Sequence, residues 1–215
     1  MVDLDIPYPL TKEQIHAALC ERHTPEVQEK LDRARVSIAG LGGLGSNVAV
    51  ALARVGVGHL HLIDFDRVDA SNLNRQQYFG RHLGMYKTDA LKEQLLDINP
   101  YLDIRTDCVR VTEENIQELF AGAAAVCEAF DNPEAKAMLV NGILERFPEK
   151  FLVAASGMAG YSDGNRIQTR KISARFYLCG DETDGLEAGG CLMAPRVAIC
   201  AAHEANIIVQ YLVQH

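Results

Sequence analysis

Three observations predict an α/β fold built on a mainly parallel, doubly wound sheet. From residue 36 to residue 155, strand-length apolar runs alternate with longer helical patterns, the order of a βαβ series. Residues 123–130 are small, apolar and continuous, as a strand buried on both faces requires. Residues 35–64, RVSIAGLGGLGSNVAVALARVGVGHLHLID, read as one complete βαβ unit: strand, glycine loop, helix, second strand. Together they give a Rossmann-like sheet. An antiparallel C-terminal hairpin is expected as an extension, with strands at residues 166–172 and 175–178 around the turn signal Asp163-Gly164.

In chain order, residues 1–9 carry two prolines and read as an extended arm. Residues 11–20 and 25–33 are helical, Thr11 being a possible N-cap. Residues 1–34 thus form a helical arm that packs outside the sheet or against another subunit. The first strand, 36–39, breaks into Gly40, Gly42, Gly43 and Gly45, and a helix over 46–54 is stopped by Gly56 and Gly58. Glycines there let the backbone turn tightly and approach a phosphate, and the helix N-terminus offers free N–H groups. Asp64 ends the second strand roughly 20 residues past the glycines, placed to accept hydrogen bonds from a ribose. A glycine-rich turn that binds nothing is the plain alternative. Spacing, strand, helix and acid all argue against it, and the nucleotide stays open at this point.

The polar stretch 65–79 is a loop at a strand's carboxyl end, where open α/β sheets bind ligands, and it crowds together Ser71, Asn72, Asn74, Arg75, Gln76 and Gln77. A helix over 86–98 follows; Lys87 in its first turn opposes the helix dipole, a cost that a nearby anion would remove. Residues 103–109 are the third strand and 113–120 a helix capped by Thr112. The buried strand 123–130 ends in Asp131-Asn132-Pro133, setting another carboxylate at the sheet's carboxyl edge. A helix over 134–146 and a strand over 151–155 complete the series. The acidic, glycine-rich residues 180–190 should be a mobile surface loop closed by Cys191, and Pro195 opens an apolar helix to about residue 212. The whole, residues 1–215, is expected to be a single nucleotide-binding domain with the hairpin, loop and helix of 161–215 appended.

A chain of 215 residues can bury a full core. Its net charge of -8 argues against a nucleic-acid surface, and no apolar run approaches the roughly 18 residues of a membrane span. The N-terminal residues are too charged for a signal peptide, so a cytoplasmic location is the expectation. The six cysteines contain no C-x-x-C pair, which speaks against a zinc site. Cys108, Cys127 and Cys200 read as small buried hydrophobes.

The polar groups at the sheet's carboxyl edge, the glycine loop, Asp64, the 71–77 loop, Lys87 and Asp131, suggest a nucleoside triphosphate with Mg²⁺ more than a dinucleotide. No G-x-x-x-x-G-K-[ST] is present, so this is not a P-loop enzyme. Arg75 and Lys87 could instead be solvated surface charges, and Asp131 could be a helix N-cap paired with Glu134. An NAD-dependent oxidoreductase would leave the segment SNLNRQ unexplained.

GLGGLGS, then DFDRVDASNLNRQ, then Lys87, then FDN resembles the family of ubiquitin-activating enzymes and their bacterial relatives. Those relatives adenylate the C-terminal glycine of small sulfur carriers for thiamin and molybdenum-cofactor synthesis. Within the family, the short chain and the tail GCLMAPRVAICAAHEAN are most similar to a short ThiF form acting on a ThiS-type carrier. The resemblance implies that Gly40, Gly42, Gly43 and Gly45 lie against ATP and that Asp64 holds the ribose. It places Asp66, Ser71, Asn72, Asn74, Gln76 and Asn132 around the nucleotide. Arg75 and Lys87 would meet the triphosphate, and Asp131 the Mg²⁺. It further implies a homodimer in which Arg22 matches an arginine supplied in trans, although the segment from Arg22 to Val36 is shorter than usual. The partner would be a ubiquitin-fold sulfur carrier ending in Gly-Gly. Cys191 is either a plain exposed thiol or a site of later sulfur transfer. The alternatives carried forward are activation of another carboxylate, on a molybdenum-cofactor carrier, a peptide or a modified tRNA, and a non-catalytic nucleotide-binding subunit.

Overall fold

The structure, a computed structural model, describes residues 10–182 and 191–215. The expected extended arm at residues 1–9 and most of the expected loop, residues 183–190, lie outside them. Helix α1 (Lys12–His23) starts at Thr11, whose hydroxyl and Gln14 form a reciprocal capping box, and α2 (Pro25–Arg33) takes Pro25 in its first turn. The alternation then runs β1 (Arg35–Ala39), α3 (Gly43–Arg54), β2 (His59–Ile63), α4 (Lys87–Ile98), β3 (Asp103–Asp107), α5 (Ile116–Phe120), β4 (Ala125–Glu128), α6 (Pro133–Arg146) and β5 (Phe151–Ala155). The tail adds β6 (Gln168–Lys171), β7 (Phe176–Gly180) and α7 (Ala194–Gln214).

The strands form one sheet in the order β3-β2-β1-β4-β5-β7-β6, parallel throughout except that β6 runs antiparallel to β7. Successive side chains leave a strand on opposite faces, and two cores result. Val36, Ile38, Leu60, Leu62 and Val153 face α3, α4 and α7 on one side. Ala39, Ile63, Val126 and Leu152 meet Ile116, Phe120, Leu139 and Ile143 of α5 and α6 on the other. Every residue of β4 and β5 is buried, which accounts for their continuous apolar pattern. Among the described residues no helix is long and apolar enough to cross a membrane.

Five details depart from the sequence reading, the first being Cys108, which is exposed just past the end of β3 and not buried. Helix α3 begins at Gly43, so Gly43 and Gly45 sit in its first turn with Gly42 as N-cap. Thr112 does not cap α5; Asn115 occupies that position, after a turn in which the Thr112 N–H donates to the Asn115 side chain at 2.8 Å. The hairpin reverses at residues 172–175, where the Ile172 N–H meets the Phe176 carbonyl at 2.9 Å. At Asp163-Gly164 the Asp163 carboxylate instead accepts from the Asn165 N–H at 2.9 Å and starts a 3₁₀ turn. Finally, Asn132 caps α6 by accepting from the Ala135 N–H at 2.9 Å, so Asp131 is not the cap.

Candidate active site

β1 and β4 are neighbours, but the helices that follow them pack on opposite faces, α3 on one and α6 on the other. The connections leaving their carboxyl ends therefore diverge, and this switch point is where an open α/β sheet forms its ligand crevice. The glycine loop enters it. Gly40 has φ +90°, and a Cβ there would stand 2.8 Å from the Ala129 carbonyl oxygen. At Gly45 an added Cβ would stand 1.8 Å from the Gly40 carbonyl oxygen, so the first turn of α3 closes onto the loop only without a side chain. The Leu41 N–H donates to Asp64 Oδ2 at 2.6 Å and the Asp66 N–H to Asp64 Oδ1 at 2.8 Å. The buried Asp64 thus braces the loop with both oxygens, each retaining lone-pair capacity for a further donor. Tyr78, whose hydroxyl donates to the Leu41 carbonyl at 2.8 Å, finishes the brace; burial, with Asp64 and Asp66 nearby, pushes its phenol pKa far up.

The 71–77 loop is fastened to α3 by residues that the sequence reading passed over. Asn47 donates to the Gly43 carbonyl at 2.6 Å and the Arg75 carbonyl at 3.2 Å, and accepts from Gln77 Nε2 at 2.6 Å. The Ser46 hydroxyl accepts from the Gln77 N–H at 3.2 Å. The dipeptide Ser46-Asn47 just past the glycines was the available signal. Ser71 and Asn72 point into their own turn: the Ser71 hydroxyl donates to Asp69 at 2.7 Å, and Asn72 Oδ1 accepts from the Asp69 N–H at 3.0 Å. Asn74 reaches the segment ahead of α7, donating to the Leu192 carbonyl at 2.9 Å.

Arg75 is the open cation of the group. Its guanidinium donates to the Ser71 carbonyl at 3.1 Å and Asn74 Oδ1 at 2.9 Å, both neutral acceptors, and among the described residues it meets no carboxylate. Its stem lies against Gly43, where a Cβ would come within 3.5 Å of Cγ. Beside it, Gln76 is buried next to Gly42, and its Oε1 has no hydrogen-bond partner among the described residues. A groove of about 330 Å³ runs along this wall, lined by Asn74, Arg75 and Gln76 on one side and Ala194, Pro195 and Ala198 of α7 on the other. The Lys87 ammonium is almost fully buried and is held 3.0 Å from Asp66 Oδ2. Asp131 is exposed at the far lip, with no hydrogen bond or ion pair among the described residues. Arg22 is exposed in the last turn of α1, and Cys191 is exposed ahead of α7.

Beneath the crevice lies a charged cluster in the core. Glu128, fully buried at the end of β4, sits 2.9 Å from the Lys136 ammonium and accepts from the Phe130 N–H at 2.7 Å. Glu204 on α7 is also fully buried and touches Cys127 at 3.8 Å. Burial raises the Glu204 carboxyl to about 8; Lys136 opposes the shift and Glu128 adds to it. Burial likewise pushes the Cys179 thiol up to about 12.

The Glu204 shift has a measurable sign. An unfolded chain releases this proton near 4.5, whereas the folded chain keeps it until about 8. Its contribution is therefore full below 4.5 and is lost as pH rises towards 8, at up to about 1.4 kcal/mol per pH unit. Glu204→Gln should flatten the decline in unfolding free energy between pH 5.5 and 7.5 and stabilise the protein at the upper end. Urea titrations at both pH values check it; parallel losses in the two proteins would refute it.

The ThiF family profile matches residues 13–215. The chain is 31% identical over 195 residues to the molybdopterin-synthase adenylyltransferase of Salmonella typhimurium, covering 88% of this chain and 77% of that protein. It is 38% identical over 109 residues to the sulfur carrier protein adenylyltransferase of Thermus thermophilus, covering 50% of this chain and 40% of that one. Several relatives are thus matched over less than two thirds of their own length. Among solved structures, the E. coli tRNA N6-threonylcarbamoyladenosine dehydratase in complex with ATP superposes with a TM-score of 0.84 at 22% identity, over 94% of this chain and 95% of that one. Fold and sequence agree: the chain belongs to the ThiF family.

Proposed function

We propose that the chain is an adenylyltransferase that uses ATP to activate the C-terminal glycine carboxylate of a ubiquitin-fold sulfur carrier of the ThiS type. The observation that carries this reading is Arg75, a cation that among the described residues meets neutral acceptors and no carboxylate, beside a glycine cradle and a buried amide oxygen with no partner among those residues. The cradle suits a phosphate chain, since each Cβ missing at Gly40, Gly43 and Gly45 would meet protein atoms within 3.0 Å. Asp64 would take the ribose hydroxyls on its spare lone pairs, and Gln76 would use its free oxygen on the nucleoside.

In the reaction, a carboxylate oxygen of the carrier's terminal glycine attacks the α-phosphorus and the bond to the pyrophosphate oxygen breaks. The products are an acyl adenylate and pyrophosphate. The protein would align the two reactants and neutralise charge on the leaving group, chiefly through Arg75, with Lys87, already paired with Asp66, as a weaker contributor. A Mg²⁺ held on the triphosphate by Asp131 would supply further charge neutralisation. No protein nucleophile is needed, and Cys191 takes no part in this step. Arg22 would act from a second copy in a homodimer, and the setting would be the cytoplasm.

The Salmonella relative favours a second reading, a molybdenum-cofactor carrier as substrate. ATP–pyrophosphate exchange with Mg²⁺ separates the two. Exchange that depends on a ThiS-type Gly-Gly carrier is expected; exchange only with a molybdopterin-synthase carrier moves the assignment. ATP binding with no exchange for any carrier would leave a non-catalytic nucleotide-binding subunit.

A further inference from the structure

The pair formed by the buried Glu128 and the half-buried Lys136 does something specific to the backbone just ahead of Asp131. The Phe130 N–H donates to Glu128 Oε1 at 2.7 Å, and the Phe130 carbonyl accepts from the Lys136 ammonium at 2.9 Å. The same ammonium lies 3.2 Å from Glu128 Oε1 and 2.9 Å from Oε2. One ion pair therefore holds both polar groups of a single residue. On the near side, the Ala129 N–H is tied to the Ala39 carbonyl of β1 at 2.8 Å. On the far side, Asn132 is committed to capping α6 and Pro133 has no N–H to offer. Asp131 is thus bracketed by fixed backbone while its own carboxylate stands exposed at the lip of the crevice, with no hydrogen bond or ion pair among the described residues.

The arrangement is expensive, which is why its placement matters. Glu128 is completely buried, and burial raises its carboxyl pKa against the pull of Lys136 and the Phe130 N–H. A buried ion pair seldom outperforms well-packed apolar side chains of equal volume, so general stability is a poor reason to keep one here. Its geometry serves the 129–131 turn instead. The Phe130 ring is held against the glycine loop, where a Cβ at Gly40 would stand 3.0 Å from its Cδ1.

We propose that Glu128 and Lys136 are positioning residues: they fix the Phe130 backbone so that the Asp131 carboxylate is preset to receive the divalent cation carried by the nucleotide. The inference rests on the reading of Asp131 as that cation's ligand. The clamp touches neither nucleotide nor metal, and it works by removing the conformational freedom that Asp131 would otherwise lose on binding.

The test is calorimetric titration of ATP at several Mg²⁺ concentrations, which needs no turnover and no carrier. The variants are Asp131→Asn, Lys136→Gln and the neutral pair Glu128→Gln/Lys136→Gln, which leaves no lone buried charge. The expected result is that each raises the Mg²⁺ needed for half-maximal enhancement of ATP affinity by about tenfold, while the Lys136 and paired variants, which touch neither ligand, keep ATP affinity in the absence of Mg²⁺ within about twofold of wild type. Lys136→Arg, which keeps a cation near Glu128, should recover part of the loss. If the double variant melts below the assay temperature, Lys136→Gln alone, at a partly exposed position, decides the matter. Should Asp131→Asn shift the Mg²⁺ requirement while the Lys136 variants leave it at wild type, the positioning role is overturned and the reading of Asp131 stands. Should Asp131→Asn itself change nothing, or wild-type ATP binding ignore Mg²⁺, the reading of Asp131 fails and takes the inference with it.

Discussion

Arg75→Ala should lower carrier-dependent ATP–pyrophosphate exchange by about 10²–10³-fold, leaving ATP affinity changed far less. The guanidinium is fastened by two hydrogen bonds to neutral oxygens, so it is aimed without being neutralised. A charge held this way costs little reorganisation when negative charge develops on a leaving pyrophosphate, and that is the condition under which an electrostatic contact lowers a barrier. Lys87 cannot substitute for it: its ammonium is already 3.0 Å from the Asp66 carboxylate and is almost completely buried. Arg75→Lys should recover little, because an ammonium cannot keep two fixed contacts and still face a phosphate with a planar fork. The fold should survive both changes, since the loop's anchors to α3 run through the Arg75 backbone and through Asn47 and Gln77. Exchange kinetics at saturating ATP and carrier decide it. An alanine variant retaining more than about a tenth of wild-type exchange would remove Arg75 from the chemistry.

What the sequence disclosed and what it withheld divide along a physical line. Residues 35–64 were legible because each part carries its own local signature: a buried strand, glycines where backbone atoms crowd, an amphipathic helix and an acid at a strand end. The start of α3 was misplaced because a glycine N-cap offers no side-chain signal, and Gly43 and Gly45 read as loop when their missing Cβ atoms are what let the first turn close. Ser71 and Asn72, which the resemblance places at the nucleotide, also engage Asp69 within their own turn, a use of the side chains that the sequence did not announce. Such short-range competition for hydrogen bonds is decided by backbone dihedrals that composition does not encode. Asp131 was the cap candidate for α6, and only the geometry shows that Asn132 takes that role. Glu128 was passed over inside a run read as continuous and apolar, and Glu204 inside the apolar C-terminal helix. Their partners come from other elements, and a one-dimensional pattern cannot pair residues 128 and 136 through Phe130, or 204 with 127.

The Arg196–Asp181 pair belongs to that hidden class, and removing the arginine should be the most damaging single change to stability. Arg196 Nη2 lies 2.6 Å from Asp181 Oδ2, with the two side chains 3% and 2% exposed. Its Nη1 donates to the Ser162 carbonyl at 2.9 Å, the Ser162 hydroxyl at 2.6 Å and the Asp163 carbonyl at 3.0 Å. One side chain from the first turns of α7 thus gathers the segment ahead of β6 and the end of β7. Arg196→Met would leave Asp181 buried beside lost donors, with Arg166 3.9 Å away as a weaker and more exposed substitute. Breaking one side of a buried pair costs about 3–5 kcal/mol. In a chain of 215 residues that should lower the melting temperature by roughly 6–15 °C. Asp181→Asn/Arg196→Met should be less damaging than Arg196→Met alone, because the buried carboxylate that lost its arginine is removed with it. Part of the loss should persist, since the arginine's N–H groups no longer reach the Ser162 and Asp163 carbonyls. Circular-dichroism melts of the two variants test this directly. If the arginine variant melts within about 2 °C of wild type, or if the double variant is the worse of the two, the pair does not hold this corner of the fold and another contact must.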